Sequence, residues 1–392
     1  MHFLNIFLQI NQLSSPSPIY PYFANKTLSL TRLNITSASA YESSFNMYQN
    51  IKWIDNNEII VTKYIDEGRF SHVLAGQWNH TLVVIKVLKE TFAGKIKREL
   101  RMLYLCRDIP QVVALLGVVK CASQKTIALV FESLEEKKEE EDEEEDIETD
   151  HCRKRNEFSA NVNPSFDPPE RLSHHLASGP LTSKEVKNYM RALLSGLAAM
   201  HARNVMHRDI KNRNLVIHRR SSSLRIIDLG LSEIYQPGKQ YNLFVCSKFY
   251  KAPELLLKYV YYDFAVDIWS AGCVFASLLF IKEPFFRGNS KYDQISFLAS
   301  LFGADSILKY ATKYSLHLNT NIRKILRDCV SVSWNDFLTQ ENRHLVDEKA
   351  LDLLKRMLAI DHSDRPTAAE CLQHPYFEGL TTIYPAVEDA EA

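Results

Sequence analysis

Between residues 59 and 131 the apolar residues fall into short, β-branched runs, EIIVTKYI, HVLAGQW, TLVVIKVL and TIALVF, separated by polar breaks and interrupted by one helical pattern around Glu99. Runs of this length and composition predict strands. From residue 182 the period lengthens. Val186, Tyr189, Met190, Leu193, Leu194 and Leu197 recur at helical spacing, and Thr182 with Glu185 forms a capping box in front of them. That stripe reads as core. Helical patterning continues to about 378, through KALDLLKRML. The segment DIWSAGCVFASLLF is apolar for only about eleven residues before Lys282, short of the ~18 that a membrane span needs, and predicts a buried helix. The expected class is α+β: a small, mainly β lobe and a larger, mainly α lobe.

Composition modifies this picture at the edges. The 392 residues, 46% of them apolar, suffice for substantial cores. The net charge of zero hides an asymmetry: Glu135 to Asp150 hold twelve acidic residues and two lysines, a net of −10, so the rest of the chain carries +10. A basic body suits a nucleotide and an acidic protein partner. The stretch 135–169, opening EEKKEEEDEEED and closing in NVNPSFDPPE, cannot bury a core and is expected to be disordered, either as a solvated spacer or as a tethered pseudosubstrate. Residues 1–41 lack Asp and Glu, carry too little arginine for a transit peptide, and read as a disordered leader. Seven scattered cysteines without a CxxC pair suggest free thiols in a reducing compartment, cytoplasm or nucleus, with no zinc site.

The chemistry lies in one ordered set. His207-Arg208-Asp209 is followed by Lys211 and Asn214, then by Asp228-Leu229-Gly230. Phosphoryl transfer from a nucleotide needs one carboxylate to take the acceptor's proton and a second, with an amide, to hold metal ions on the phosphates. Asp209 suits the first task; Asp228 and Asn214 suit the second. Upstream, Lys86 sits inside the apolar run VVIKVL, where an ammonium needs a carboxylate, and Glu99 in KIKREL is the natural partner. Together these resemble the catalytic loop, metal motif and lysine–glutamate pair of protein kinases. Lys211, two residues after Asp209, resembles the serine/threonine class. Lys251-Ala252-Pro253-Glu254 resembles the end of an activation segment, and Arg365 in DHSDRPT resembles the structural partner of that glutamate.

Four segments narrow the resemblance: NIKWIDNNEIIVTKYIDEG (50 to 68), YQPGKQYNLFVCSKFYKAPELLL (235 to 257), IKEPFFRGNSKYDQ (281 to 294) and the stretch 341–377 ending in HPYF. They are similar to the catalytic subunit of casein kinase 2, from about residue 42 to about 380, interrupted by the acidic insertion. The resemblance implies a bilobal kinase divided into a packing segment at 42–58, a small lobe and hinge at 59–134, a large lobe at 170–380 and a tail at 381–392. It implies ATP and Mg2+ as cofactors, held by Ile65, Gly68, Val73, Lys86, Phe131, Glu132 and Leu134 for the nucleotide and by Asn214 and Asp228 for the metal. Asp209, Lys211, Lys86 and Glu99 would be catalytic. Protein substrates with acidic Ser/Thr sites would be held by Lys248, Lys251, Lys97 and Arg98, and a regulatory beta-type subunit is a further possible partner; neither a membrane nor a nucleic acid is expected.

The chain departs from that family in two places besides the insertion. Asp66 takes the position of the first loop glycine, which predicts weakened nucleotide binding, and Phe244 replaces an arginine, which weakens the acidic preference. The activation segment carries no threonine-x-tyrosine pair, so activity is expected without prior phosphorylation. Tyr48 and Trp53 either clamp that segment or merely pack on the small lobe. Alternatives to an acidophilic kinase are a proline-directed kinase, which shares the large-lobe insertion at about 302–342, and a weakly active scaffold binding basic partners through its acidic stretch.

Overall fold

A computed structural model describes residues 52–68, 71–89, 93–121, 126–134, 170–174, 181–218 and 222–380. The leader, Tyr48, the acidic insertion and the tail lie outside them. The four strands expected from 59 to 131 form as β2 (Ile59–Glu67), β3 (Ser71–Trp78), β4 (Thr81–Leu88) and β6 (Thr126–Glu132). Two more join them: β1 (Trp53–Ile54) and β5 (Leu115–Cys121), giving the order β1-β5-β6-β4-β3-β2. All neighbours are antiparallel except β1, which runs parallel to β5. Alternation along β4 buries Val83, Ile85 and Val87 on one face. Lys86 therefore emerges on the other face, toward α1 (Ala93–Leu105). Glu99 lies in the middle of that helix.

The large lobe is built on α2 (Ser183–Ala202), whose Thr182–Glu185 capping box forms and whose apolar stripe is fully buried. Its core partner α4 (Ala265–Leu279) is the apolar segment seen in the sequence, buried from Val266 to Leu279. No helix among the described residues is long and apolar enough to cross a membrane. Short strands accompany the helices. β8 (Val205–Met206) pairs with β11 (Glu233–Ile234), and β7 (Glu170–Arg171), β9 (Leu215–His218) and β10 (Ser223–Ile226) form a three-stranded sheet. These pieces bracket residues 207–214 and hold them between two sheets.

Farther on, α3 (Pro253–Leu256), α5 (Lys291–Phe302), α6 (Ala304–Lys313), α7 (Thr320–Asp328), α8 (Glu348–Met357) and α9 (Ala368–Leu372) complete the lobe. Arg365 and Glu254 lock it internally. Both side chains are wholly buried, Nη1 and Nη2 donate to the two carboxylate oxygens at 2.7 and 2.8 Å, and the carbonyls of Ala265, Ile360 and Ala359 take the remaining donors. A buried pair is worth little against an apolar replacement, but removing one partner strands a charge. Arg365→Ala should lower unfolding stability by about 3–5 kcal/mol, read by urea denaturation of the whole chain; a loss below about 1 kcal/mol would mean that the lobe does not depend on this pair.

Candidate active site

The catalytic loop is held from beneath by a single carboxylate. Asp267, in the first turn of α4 and fully buried, accepts the backbone N–H of His207 at 2.8 Å and of Arg208 at 2.7 Å, and faces His201 Nε2 at 3.0 Å. Burial would raise its pKa, but the His201 and His207 interactions and the backbone donors hold it below the ordinary value. This anchoring sustains a left-handed Arg208 (φ 62°), a conformation that costs on the order of 1 kcal/mol for a residue with a side chain. His207 is neutral for a geometric reason. Its Nδ1 accepts the Asp209 N–H at 3.2 Å, which leaves Nε2 as the donor to the Ile227 carbonyl at 3.3 Å. Burial depresses its pKa in the same sense, against the pull of Asp267 and Asp209.

Lys86 bridges two carboxylates, 2.7 Å to Glu99 and 2.9 Å to Asp228. Burial alone would depress its ammonium, but Asp228 and Glu99 override that and raise its pKa. Burial raises Glu99 despite Lys86, and Lys86 lowers Asp228 despite burial. At Gly230 a Cβ would lie 3.3 Å from Asp228 Oδ1, a tight contact, and 3.5 Å from Glu99 Oε2, an ordinary one.

Asp209, 5% exposed, is gripped on both oxygens. Oδ2 accepts Lys211 Nζ at 2.7 Å and Asn214 Nδ2 at 3.1 Å; Oδ1 accepts the Ser247 hydroxyl at 2.8 Å and its N–H at 3.0 Å. Lys211 also donates to Ser247 Oγ at 2.9 Å. Asn214 spends its amide nitrogen on Asp209, so its Oδ1 remains for a cation, alongside the Asp228 oxygen that Lys86 does not use. Two oxygen donors of this kind fit a hard divalent ion, which would neutralise charge on a bound triphosphate.

The structure brings together the expected catalytic and metal residues Lys86, Glu99, Asp209, Lys211, Asn214 and Asp228. The sequence reading missed Ser247, Asp267 as the loop anchor, and Tyr262. The signal for Asp267 was a lone charge inside an otherwise apolar helix. Tyr262 receives Arg208 Nη1 at 3.2 Å and donates to the Asn242 carbonyl at 2.7 Å, while Arg208 Nε donates to the Leu231 carbonyl at 2.8 Å. Cys246 donates its N–H to the Arg208 carbonyl at 2.9 Å, and burial pushes its thiol well above the ordinary value, so it is no ready nucleophile.

At the mouth of the cleft, Ile65 is exposed, Val73 and Leu134 are half-buried, and Phe131 is buried at 7% exposure. The Glu132 carboxylate accepts the Ala114 N–H at 3.0 Å and Arg225 Nε at 3.3 Å, which fixes its side chain at the hinge. Asp66 is not the free acid that the sequence suggests. Its Oδ2 meets Arg171 Nη1 at 2.5 Å, a pair joining β2 of the small lobe to β7 of the large one. Gly68 follows two residues later, its carbonyl accepting Lys89 Nζ at 3.2 Å.

The basic residues form two groups. Lys97 and Arg98 are half-buried on α1; Lys248 and Lys251 belong to the activation segment, where Lys248 donates to the Asn289 carbonyl and Lys251 to the Leu243 carbonyl. Phe244, in the same segment, is 92% exposed. Trp53, 56% exposed, lies in edge strand β1, where its backbone pairs with Val118.

Residues 59–377 match the protein kinase domain family, and the chain belongs to it. It is thus a phosphotransferase of that family, which uses ATP and a divalent metal. The neutral His207 has a measurable consequence. Its folded pKa is depressed, so its stabilising effect is complete above the unfolded value of about 6.5 and is lost as pH falls below it, where only the unfolded chain gains the proton. Unfolding free energy should fall between pH 7 and 5 by about 1 kcal/mol more than in His207→Gln; equal slopes in urea titrations of the two proteins would show that His207 does not titrate this way.

Proposed function

We propose that the protein is a serine/threonine kinase that transfers the ATP γ-phosphoryl group to hydroxyls in acidic protein sites, with Mg2+ as its metal, and that it is active without prior phosphorylation. The arrangement of Lys211 between Asp209 and Ser247 carries the reading. It keeps a carboxylate and an ammonium side by side next to the metal-binding amide, which is what an incoming hydroxyl and a transferred phosphoryl group require. In the transfer, the acceptor oxygen bonds to the γ-phosphorus, the bond from that phosphorus to the bridging oxygen breaks, ADP leaves, and the hydroxyl proton goes to Asp209. Lys211 offsets the charge on the moving group, and Lys86, fixed by Glu99, binds the phosphates that stay.

The acidic preference is supported by cations without counter-charges. Among the described residues, Lys248, Lys251, Lys258 and Lys291 have no carboxylate partner, and burial together with the Lys258 and Lys251 charges holds Lys291 below its ordinary pKa. Such a cluster beside the cleft attracts acidic chains. Independence from phosphorylation is supported by Arg208, whose guanidinium is occupied by the Leu231 carbonyl, Tyr262 and, at 3.8 Å, Glu233. A kinase that needs a phosphate on its activation segment keeps this arginine for it. A beta-type regulatory subunit fits the same reading as a partner.

A degenerate Ser/Thr peptide library, with Asp209→Asn as blank, should show selection for Asp and Glu after the acceptor; selection for proline or absence of transfer would replace this reading with a proline-directed kinase or a scaffold. Lys248→Ala combined with Lys251→Ala should raise KM for an acidic peptide about tenfold at low salt. Phosphatase treatment should leave kcat within about twofold, and a loss of activity on dephosphorylation would refute phosphorylation-independent activity.

A further inference from the structure

The loop over the nucleotide cleft reads Asp66-Glu67-Gly68, two carboxylates where a triphosphate must approach. Each acid has a cation. Glu67 Oε1 meets Lys89 Nζ at 2.5 Å, with His72 Nδ1 at 3.9 Å. Asp66 Oδ1 accepts the Glu67 N–H at 2.8 Å, and its Oδ2 meets Arg171. The two pairs differ in origin. Lys89 follows β4 and belongs to the same lobe as the loop, whereas Arg171 comes from the opposite lobe. Its strand lies against β9, with Arg171 opposite Val216, and beside the turn that carries the metal-binding Asn214.

An exposed ion pair of this geometry is ordinarily worth little to stability. At 19% and 29% exposure, these side chains sit in the mouth of the cleft, where a charge acts on whatever enters. We propose that Arg171 is a nucleotide-positioning residue, which neutralises Asp66 across the cleft and so allows a triphosphate to bind under a loop that has exchanged a glycine for an acid. The proposal rests on the nucleotide-binding reading of the site. It explains how a loop with Asp66 coexists with an otherwise complete set of catalytic residues. It also assigns a role to the first residues after the acidic insertion: they carry the compensating charge back to the cleft.

The test compares two ligands that share a base and differ in charge, ATP with Mg2+ and adenosine, by calorimetric binding to the full chain at low salt. Arg171→Gln should weaken ATP about tenfold, equivalent to about 1.4 kcal/mol, and leave adenosine within twofold. Asp66→Asn alone should leave ATP as tight as in the unaltered protein or tighter, and the double variant should regain that affinity. The ATP defect of Arg171→Gln should shrink at high salt. Equal losses for ATP and adenosine would overturn the proposal, because they would mark a structural role. An ATP defect that the double variant fails to repair would also overturn it, because Arg171 would then touch the nucleotide itself. Failure of the unaltered protein to bind ATP at all would overturn the nucleotide reading and this proposal with it.

Discussion

One buried carboxylate organises the active site. Asp267 holds the backbone of His207 and Arg208 from a buried, largely apolar helix, and the geometry of the loop follows from that fixed point. Because the backbone is pinned, Arg208 can remain left-handed and aim its guanidinium at Leu231 and Tyr262. His207 can then accept the Asp209 N–H on its Nδ1, which helps fix the backbone that carries the Asp209 carboxylate. An acid buried in such surroundings is costly unless its lone pairs are satisfied, and here the loop supplies the donors. Anchor and loop need each other, so the cost of burying the charge is offset only when the loop is correctly folded.

The same logic of matched charges extends through the cleft. Lys86 sits between two acids, Asp209 between a lysine, an amide and a serine, and the loop acids against Lys89 and Arg171. A site built this way is close to neutral before its substrate arrives. Among the described residues, Lys248, Lys251, Lys258 and Lys291 lie outside it without a carboxylate partner. Paired groups lose little mobility on binding, which suits the interior to precise placement.

Much of this was legible in the sequence because the chemistry is local. Asp209, Lys211 and Asn214 fall within six residues, and a lysine inside the apolar run VVIKVL marked Lys86 as an ammonium in need of a carboxylate. The capping box and stripe of α2 appeared as expected, since a long amphipathic helix carries its signal in its own period. What escaped was set by pairing rather than period. Two-residue strands such as β7, β8 and β11 have no pattern to recognise and exist only because a partner strand is present. Ser247 looked like any hydroxyl in a loop. Asp66 was read as a liability because its cation comes from beyond a long insertion, and no spacing rule connects residues brought together by the closure of two lobes.

The Arg365–Glu254 pair has a consequence for how the protein is made. Its partners are 111 residues apart in the chain. During synthesis Glu254 emerges long before Arg365, and until the arginine arrives the position it must occupy would bury a bare carboxylate. The large lobe therefore gains this internal lock only late in its synthesis, after the mostly apolar α4 has already emerged. Completion of this fold is tied to the last stretch of the domain to be translated.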